Sequence, residues 1–338
     1  MDNITIKDIA KALNLSTSTV SRALRDSYEI NQETKRLVVE YAEKVHYRPN
    51  PIALSLKENR SQSIGIIVPE IANYYFSQAI NGIEAAAYER GYHVIISQSQ
   101  ESYDREVEAV EHLAARRVDG LLMSLSSHTA HCTHLKVLQD RGLPLVFFDR
   151  ISNEIDTHKV VADNVQGAFD AISHLLEIGR RRIAHITGLP GLSITKERLE
   201  GYLCAIEKFK VPFDPDLVKY CNFTPEEVKG NLEALFSLPE PPDAFMTASD
   251  RLALGYYAGL KQRNVSIPED VAFVGFSNLH VAELLNPPMS TVVQPAFQMG
   301  HTAAGLLLDL IEKKPKQPVF RTVHLSTELF IRASSKGK

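Results

Sequence analysis

The chain has 338 residues, 44% of them hydrophobic and 23% charged, a composition of globular proteins with room for two or three domains. No run of 18 apolar residues occurs, so no membrane-spanning helix is expected. The formal net charge of −4 does not suggest a nucleic-acid binder as a whole, but residues 1–60 carry ten Lys and Arg against eight Asp and Glu, and the remainder 27 against 33.

The chain starts Met1-Asp2-Asn3-Ile4 with neither a basic segment nor an apolar run, so no secretory signal is expected. Thr5 and Asp8 have the spacing of a capping box. Ile6, Ile9, Ala10 and Leu13 then fall on one helical face. Asn14 tolerates a left-handed turn, and Ser16 is a good cap for a second helix running from Thr17 to Arg25. Its apolar face is Val20, Ala23 and Leu24. Its other face is small and polar, with Thr17, Ser18, Thr19 and Ser21 beside Arg22. A third helix starts near Asn31 and is expected to bury Leu37, Val38, Tyr41, Ala42 and Val45. This order is a helix-turn-helix. Thr17 and Ser18 let a backbone approach closely, and Arg22 can donate two hydrogen bonds to guanine O6 and N7 in a major groove. A plain three-helix bundle with Arg22 in solvent fits the same pattern.

Tyr47-Arg48-Pro49-Asn50-Pro51 follows. Asn50 suits a cap and Pro51 the first helical position. The helix expected to about Glu58 is too short to persist alone in water, which suggests folding on a partner.

These segments resemble the LacI/GalR family of bacterial transcription regulators. The matching residues are Thr5-Ile6-x-Asp8-Ile9-Ala10, then Ser16-x-x-Thr19-Val20-Ser21-Arg22, then Tyr47-Arg48-Pro49-Asn50 with Ala53 and Leu56. The resemblance implies that Thr17, Ser18 and Arg22 face base edges, and that Leu56 of a hinge helix wedges into the minor groove. One departure is Val45-His46, where the family has a glycine before the tyrosine; His46 takes a left-handed cap less readily.

From Ile64 the texture changes. Short β-rich runs at Ile64–Val68, Tyr92–Ile96, Gly120–Met123 and Leu145–Phe148 alternate with helical segments. The pattern restarts after Asp163, with strands at Arg182–Ile186, Ala244–Met246 and Val271–Val274. Alternation of this kind predicts parallel sheets covered by helices, and two sets predict two lobes with a cleft at the strand C-termini. The resemblance extends over this body. It implies an N-terminal all-α helix-turn-helix head followed by a two-lobed α/β core of the periplasmic-binding-protein-like fold. The expected domains are 1–48 (head), 49–61 (hinge and linker) and 62–338 (core). One lobe takes about 62–163 and 294–325, the other about 164–293 and 326–338, with crossovers near Asp163, Val293 and Leu325. The helix at about Phe297–Glu312 returns to the first lobe and the last strand to the second.

The same resemblance assigns an effector cleft to Tyr75, Phe76, Asp149, Arg150, Arg198, Ser249, Asp250, Ser277 and Gln294. Polar groups at strand ends suit a hydroxyl-rich ligand such as a sugar. Ser249 and Ser277 stand where sugar-binding relatives often have Asn and Asp. Each residue singly also fits a bland role; Asp250 could cap a helix beginning at Arg251.

The run His128, His131, Cys132, His134 has metal-like spacing but is expected on the surface near a helix start, so no metal site is assigned. Cys132, Cys204 and Cys221 are scattered and odd in number, which fits a reducing cytoplasm. No Gly-x-Gly-x-x-Gly follows the first strand and no Gly-x-Ser-x-Gly occurs, so neither a cofactor nor catalysis is expected. The reading is therefore a cytoplasmic, homodimeric regulator, nucleoid-associated when bound, that contacts a near-palindromic double-stranded operator and a small effector. The competing readings are a solute-binding protein, opposed by the head, and an α/β enzyme, opposed by the missing catalytic set. No leucine heptad follows the last strand, so a dimer is expected rather than a tetramer.

Overall fold

The computed structural model describes residues 4–47, 60–222, 224–277 and 279–336. It forms a small unit over residues 1–61 and a large one over 62–338. Asn50, Ala53, Leu56 and the short helix expected from Pro51 lie outside the described residues.

The small unit contains α1 (Ile6–Ala12), α2 (Thr17–Ala23) and α3 (Gln32–Lys44). Asp8 accepts both the Thr5 N–H at 2.8 Å and the Thr5 hydroxyl at 2.7 Å. Ser16 Oγ accepts the Thr19 N–H at 3.0 Å, and Asn31 Oδ1 accepts that of Thr34 at 2.7 Å. Ile9, Val20 and Val38 are fully buried, with Ala10, Ala23 and Ala42 filling between them. Leu37, expected in this core, is instead 48% exposed. Val38, Tyr41 and Ala42 already complete the inward stripe; Leu37 falls just outside it, and Val45, also expected in the core, is only half-buried at the helix end.

Each of the three helices is followed by a left-handed residue that is not glycine: Asn14, Asp26 and His46, at φ 54°, 54° and 51°. In each case the left-handed residue and its successor donate back to the helix. Asn14 and Leu15 donate to Lys11 and Ala10, Asp26 and Ser27 to Ala23 and Arg22, and His46 and Tyr47 to Glu43 and Ala42. This is the Schellman closure. Asn and Asp tolerate it; His46 adopts it against its preference. Glycine there would relieve about 1 kcal/mol of strain, offset in part by greater freedom in the unfolded chain. His46→Gly is therefore expected to raise the melting temperature of the head slightly, measured by circular dichroism. A lowered melting temperature would show that the imidazole itself stabilises the turn.

The large unit carries two six-stranded sheets. The first lobe runs β1 (Ser63–Val68), α4 (Tyr74–Glu89), β2 (His93–Gln98), α5 (Tyr103–Ala115), β3 (Gly120–Met123), α6 (Thr133–Asp140), β4 (Leu145–Phe148) and β5 (His158–Ala162). The second runs α7 (Asn164–Glu177), β6 (Ile183–Thr187), α8 (Ser193–Lys208), β7 (Val218–Tyr220), α9 (Pro225–Phe236), β8 (Ala244–Thr247), α10 (Asp250–Gln262), β9 (Ala272–Phe276) and β10 (Ser290–Val293). Then α11 (Ala296–Lys313) and β11 (Thr322–Leu325) return to the first lobe, and β12 (Glu328–Phe330) ends in the second.

The sheet orders correspond strand for strand: β2-β1-β3-β4-β5-β11 and β7-β6-β8-β9-β10-β12. All neighbours are parallel except β12, which runs antiparallel to β10. Strands β3, β4, β6, β8 and β9 are buried throughout, as parallel strands covered on both faces must be. The return of α11 depends on two glycines. A Cβ on Gly82 would lie 2.0 Å from the Phe297 carbonyl oxygen, and one on Gly300 would lie 1.9 Å from that of Ala79. The α4 and α11 backbones touch there, where no side chain fits.

The chain passes between the lobes after β5, after β10 and after β11. Two of these passes are bonded together: the Asp163 N–H donates to Leu325 at 2.8 Å, and the Thr327 hydroxyl to the Asp163 carbonyl at 3.3 Å. Among the described residues no helix is long and apolar enough to cross a membrane.

Candidate functional site

On the small unit, α2 presents Thr17, Ser18 and Arg22 to solvent, while Thr19 and Ser21 are half-buried. Thr5 and Ser16 are exposed helix caps. Ser16 Oγ also lies 2.7 Å from Ser18 Oγ and 2.8 Å from Thr19 Oγ1, so these hydroxyls form one connected edge. The Arg25 guanidinium reaches back to Ser21 Oγ at 2.7 Å. A short polar helix N-terminus with an arginine one turn further along matches a groove-reading helix.

In the large unit, the polar groups gather beyond the carboxyl ends of both sheets, where ligands bind in open α/β folds. The two lobes contribute from matching places. Asp149 follows β4 and Ser277 follows the corresponding β9, at φ 62° and 94° respectively. Both are non-glycine residues in the left-handed region, strain of a kind stored at functional sites. Tyr75 and Phe76 open α4 after β1; Arg198 lies on α8 after the corresponding β6.

Arg198 is the hub. It is 2% exposed, its Nε donates to Asn164 Oδ1 at 2.9 Å, and its Nη1 donates to the Ala248 carbonyl. Its guanidinium lies 3.9 Å from the Phe276 ring centroid. Asn164 in turn donates to Glu197 at 2.7 Å. Arg150 Nη1 reaches both Glu101 oxygens, at 2.8 and 2.9 Å, and its guanidinium lies 5.8 Å from the Phe76 ring. The Ser277 hydroxyl donates to Gln294 Oε1 at 3.1 Å. Asp149 is flanked by Tyr75, Gln294 and both arginines.

Burial dominates the electrostatics. It lowers Arg198 to about 10, against the attraction of Asp149. It raises Asp149 above the usual carboxylate range, against Arg150 and Arg198. Burial also pushes Glu101 upward, but Arg150 and the Ser127 N–H outweigh it and hold the group low. Asp250, on the first turn of α10, is pushed up to about 7 by burial, with only Arg198 opposing. Neither of its oxygens has a hydrogen-bond partner; Gln294 Nε2 and Arg150 Nε also make no hydrogen bond, although both side chains lie beside Asp149, Arg150 Nε at 4.0 Å.

Asp250 carries a pH prediction. With its folded value above the unfolded 3.8, the native state binds more protons between about pH 4 and 7. Stability from this group is present below that window and falls as pH rises through it. Asp250→Asn is expected to flatten this decline, measured as the urea midpoint between pH 5 and 8. An unchanged slope in the variant would remove Asp250 from the account.

Seven of the nine expected cleft residues are thus joined by contact or charge through Arg198, Asp149 and Arg150, and Phe76 joins them through Arg150. Ser249 is differently placed: its Oγ caps α10 by accepting the Leu252 N–H at 3.3 Å. It therefore takes the capping role considered for Asp250. Arg198 lies in the second turn of α8. Sequence reasoning did not identify Glu101, Asn164 or Phe276 as site residues.

The His128–His134 run lies at a helix start with His128 and His131 exposed, as expected, but Cys132 and His134 turn inward. Cys132 is 3% exposed and packs in the first lobe's core. His134 is buried against Glu106 at 3.0 Å, while His128 meets the Glu101 carbonyl and His131 the Tyr103 hydroxyl. Among the described residues no group of three or more His, Cys, Asp and Glu could hold a metal ion.

Comparison with known proteins bears on both parts. The family description "Bacterial regulatory proteins, lacI family" matches residues 5–50, and "Periplasmic binding protein-like domain" matches residues 172–335. The chain is 33% identical over 334 residues to the HTH-type transcriptional repressor CytR of Escherichia coli K12, covering 98% of this chain and 96% of that one. A solved complex of the transcriptional regulator CelR with cellobiose superposes with a TM-score of 0.73 at 30% identity, over 98% of this chain and 100% of CelR. The lac repressor dimer, solved with operator and an anti-inducer, superposes with a TM-score of 0.83 at 21% identity over 99% of each chain, a likeness of fold.

Proposed function

The chain belongs to the LacI family of bacterial regulatory proteins, and on that premise we propose how its parts divide the work. It is a sequence-specific DNA-binding transcriptional repressor of that type, not an enzyme. The head, 1–48, reads the operator through Thr17, Ser18 and Arg22, with Thr5, Ser16, Thr19 and Ser21 at the helix ends and phosphates. Residues 49–61 form the hinge, where Asn50, Ala53 and Leu56 are assigned to DNA, Leu56 as the minor-groove wedge. The core, 62–338, binds the effector between lobes 62–163 with 294–325 and 164–293 with 326–338. The protein acts in the cytoplasm as a homodimer on a near-palindromic site, since two-fold symmetry in the protein calls for it in the DNA.

The effector is an uncharged, hydroxyl-rich molecule, a sugar or sugar derivative. What carries this reading is the set of buried polar atoms without hydrogen bonds at the strand ends: above all both Asp250 oxygens, together with Gln294 Nε2 and Arg150 Nε beside Asp149. Unpaired buried polar atoms are costly, and a polyol supplies donors and acceptors to all of them. Arg150 faces Glu101 and Asp149, and Arg198 lies beside Asp149, so both of these cations already have counter-charges among the described residues. The CelR–cellobiose complex is a precedent in the same fold.

Two measurements test this. Selection from a random DNA pool by the full chain is expected to return a near-palindrome. A thermal-shift screen of sugars, nucleosides and phosphosugars is expected to return a neutral polyol or glycoside, whose binding raises the melting temperature by mass action. Stabilisation by phosphosugars alone would overturn the assignment of the effector.

A further inference from the structure

Arg22 has a partner on the head. Its Nη1 lies 3.0 Å from Oε2 of Glu29, seven residues further on, with the two side chains 55% and 44% exposed. Glu29 belongs to the connection between α2 and α3, and that connection is fixed without the ion pair. The Ser27 N–H donates to the Arg22 carbonyl at 3.1 Å, and the Ile30 N–H to that of Ser27 at 3.2 Å. Lys35 Nζ, from α3, bonds the Asp26 carboxylate at 2.7 Å and its carbonyl at 3.3 Å. The left-handed Asp26 turns the chain so that residue 29 comes back alongside residue 22. The backbone of residue 29 is therefore fixed alongside Arg22, within reach of the ion pair.

Neither stability nor attraction to DNA explains an acid in this position. An exposed ion pair adds little to folding. A carboxylate on a DNA-facing surface is repelled by phosphates and weakens binding to every sequence. What a paired carboxylate does is restrict a long, flexible side chain. A guanidinium biased toward one side by an ion pair at Nη1 has fewer rotamers to lose when it docks on two base acceptors. The Nε and Nη2 edge remains available to donate.

We propose that Glu29 is a specificity-determining residue of the head: it positions the Arg22 guanidinium for a base edge and lowers affinity for DNA in general. This rests on the assignment of Arg22 to base reading. Orientation raises the ratio of cognate to non-cognate binding, whereas repulsion lowers affinity for every duplex and leaves that ratio unchanged.

The experiment uses the full chain and three duplexes: the operator selected from a random pool, the same operator with the base pair read by Arg22 replaced, and unrelated DNA. Arg22→Ala identifies that base pair as the one at which discrimination disappears. Glu29→Gln is expected to lower the ratio between the first two duplexes about tenfold, part of what a two-bond arginine–guanine contact supplies. Its affinity for unrelated DNA is expected to stay level or rise. Glu29→Asp keeps the charge but retracts it, and is expected to lower the ratio with no gain on unrelated DNA. The double variant should discriminate no worse than Arg22→Ala alone.

An equal gain by Glu29→Gln on all three duplexes would mean that the carboxylate only repels phosphate, and would overturn the proposal. So would an unchanged ratio. If Arg22→Ala itself keeps full discrimination at every position, the base-reading assignment fails, and the role of Glu29 with it. If Arg22→Ala loses discrimination and Glu29→Gln does not, only the role of Glu29 is lost.

Discussion

Replacing Arg22 by alanine is expected to remove most of the preference for the operator over unrelated DNA while leaving the protein folded. A two-bond contact to guanine discriminates by about 1–3 kcal/mol, roughly 5- to 150-fold per half-site. In a two-fold complex the loss is incurred twice. The structural cost is small, because the side chain is 55% exposed and its one ion pair is at the surface. Val20 and Ala23, which anchor α2 in the head, are untouched. Fluorescence anisotropy against the selected operator and a scrambled duplex measures the ratio. Loss of one cation per head should weaken binding to scrambled DNA only modestly, with a small fall in the salt slope. Undiminished preference for the operator would sink the assignment of α2 as the reading helix.

The second large effect is expected at Arg198. Arg198→Ala removes a buried cation that bonds Asn164 and the Ala248 carbonyl and covers the Phe276 ring. It also takes one of the two arginine charges from Asp149 and the arginine charge from Glu197. Breaking a buried charge arrangement from one side costs about 3–5 kcal/mol, a large share of the stability of an ordinary domain. A clear drop in the urea midpoint is expected, together with loss of any effector-induced thermal shift. Arg198→Lys restores charge without the planar fork, so it should recover stability in part and effector response hardly at all. A midpoint within experimental error of wild type in Arg198→Ala would contradict the central place given to this residue.

Much of the head was legible because its determinants are local. Thr5 with Asp8, Ser16 with Thr19 and Asn31 with Thr34 are three residues apart, and a cap needs nothing beyond that. The core was legible as alternation, and Asp149, Arg150 and Ser277 as strand-end polar residues. What could not be read was which residues pair across the fold. Glu101 meets Arg150 across 49 positions, and Asn164 meets Arg198 across 34. No spacing rule spans such distances. The histidine run shows the complementary point: close in sequence, His128, His131 and His134 turn to three different hydrogen-bond partners. Leu37 marks the edge of what periodicity resolves, since one residue's rotation about a helix decides whether it faces the core or water.

The bonded passes between the lobes have a mechanical consequence. A single strand joining two bodies is a swivel and permits rotation about several axes. Here the pass at Asp163 is tied to Leu325 and Thr327 of another, so the two behave as one broad strap. A strap bends easily across its width and resists shear and torsion. Such a joint removes most degrees of freedom and leaves one soft coordinate, opening and closing of the lobes about the strap. At the proposed effector site, work done by a ligand at Asp250 or Gln294 would be channelled along that coordinate instead of being dissipated among many, and a small displacement near the strap would become a larger one at the far rim of each lobe.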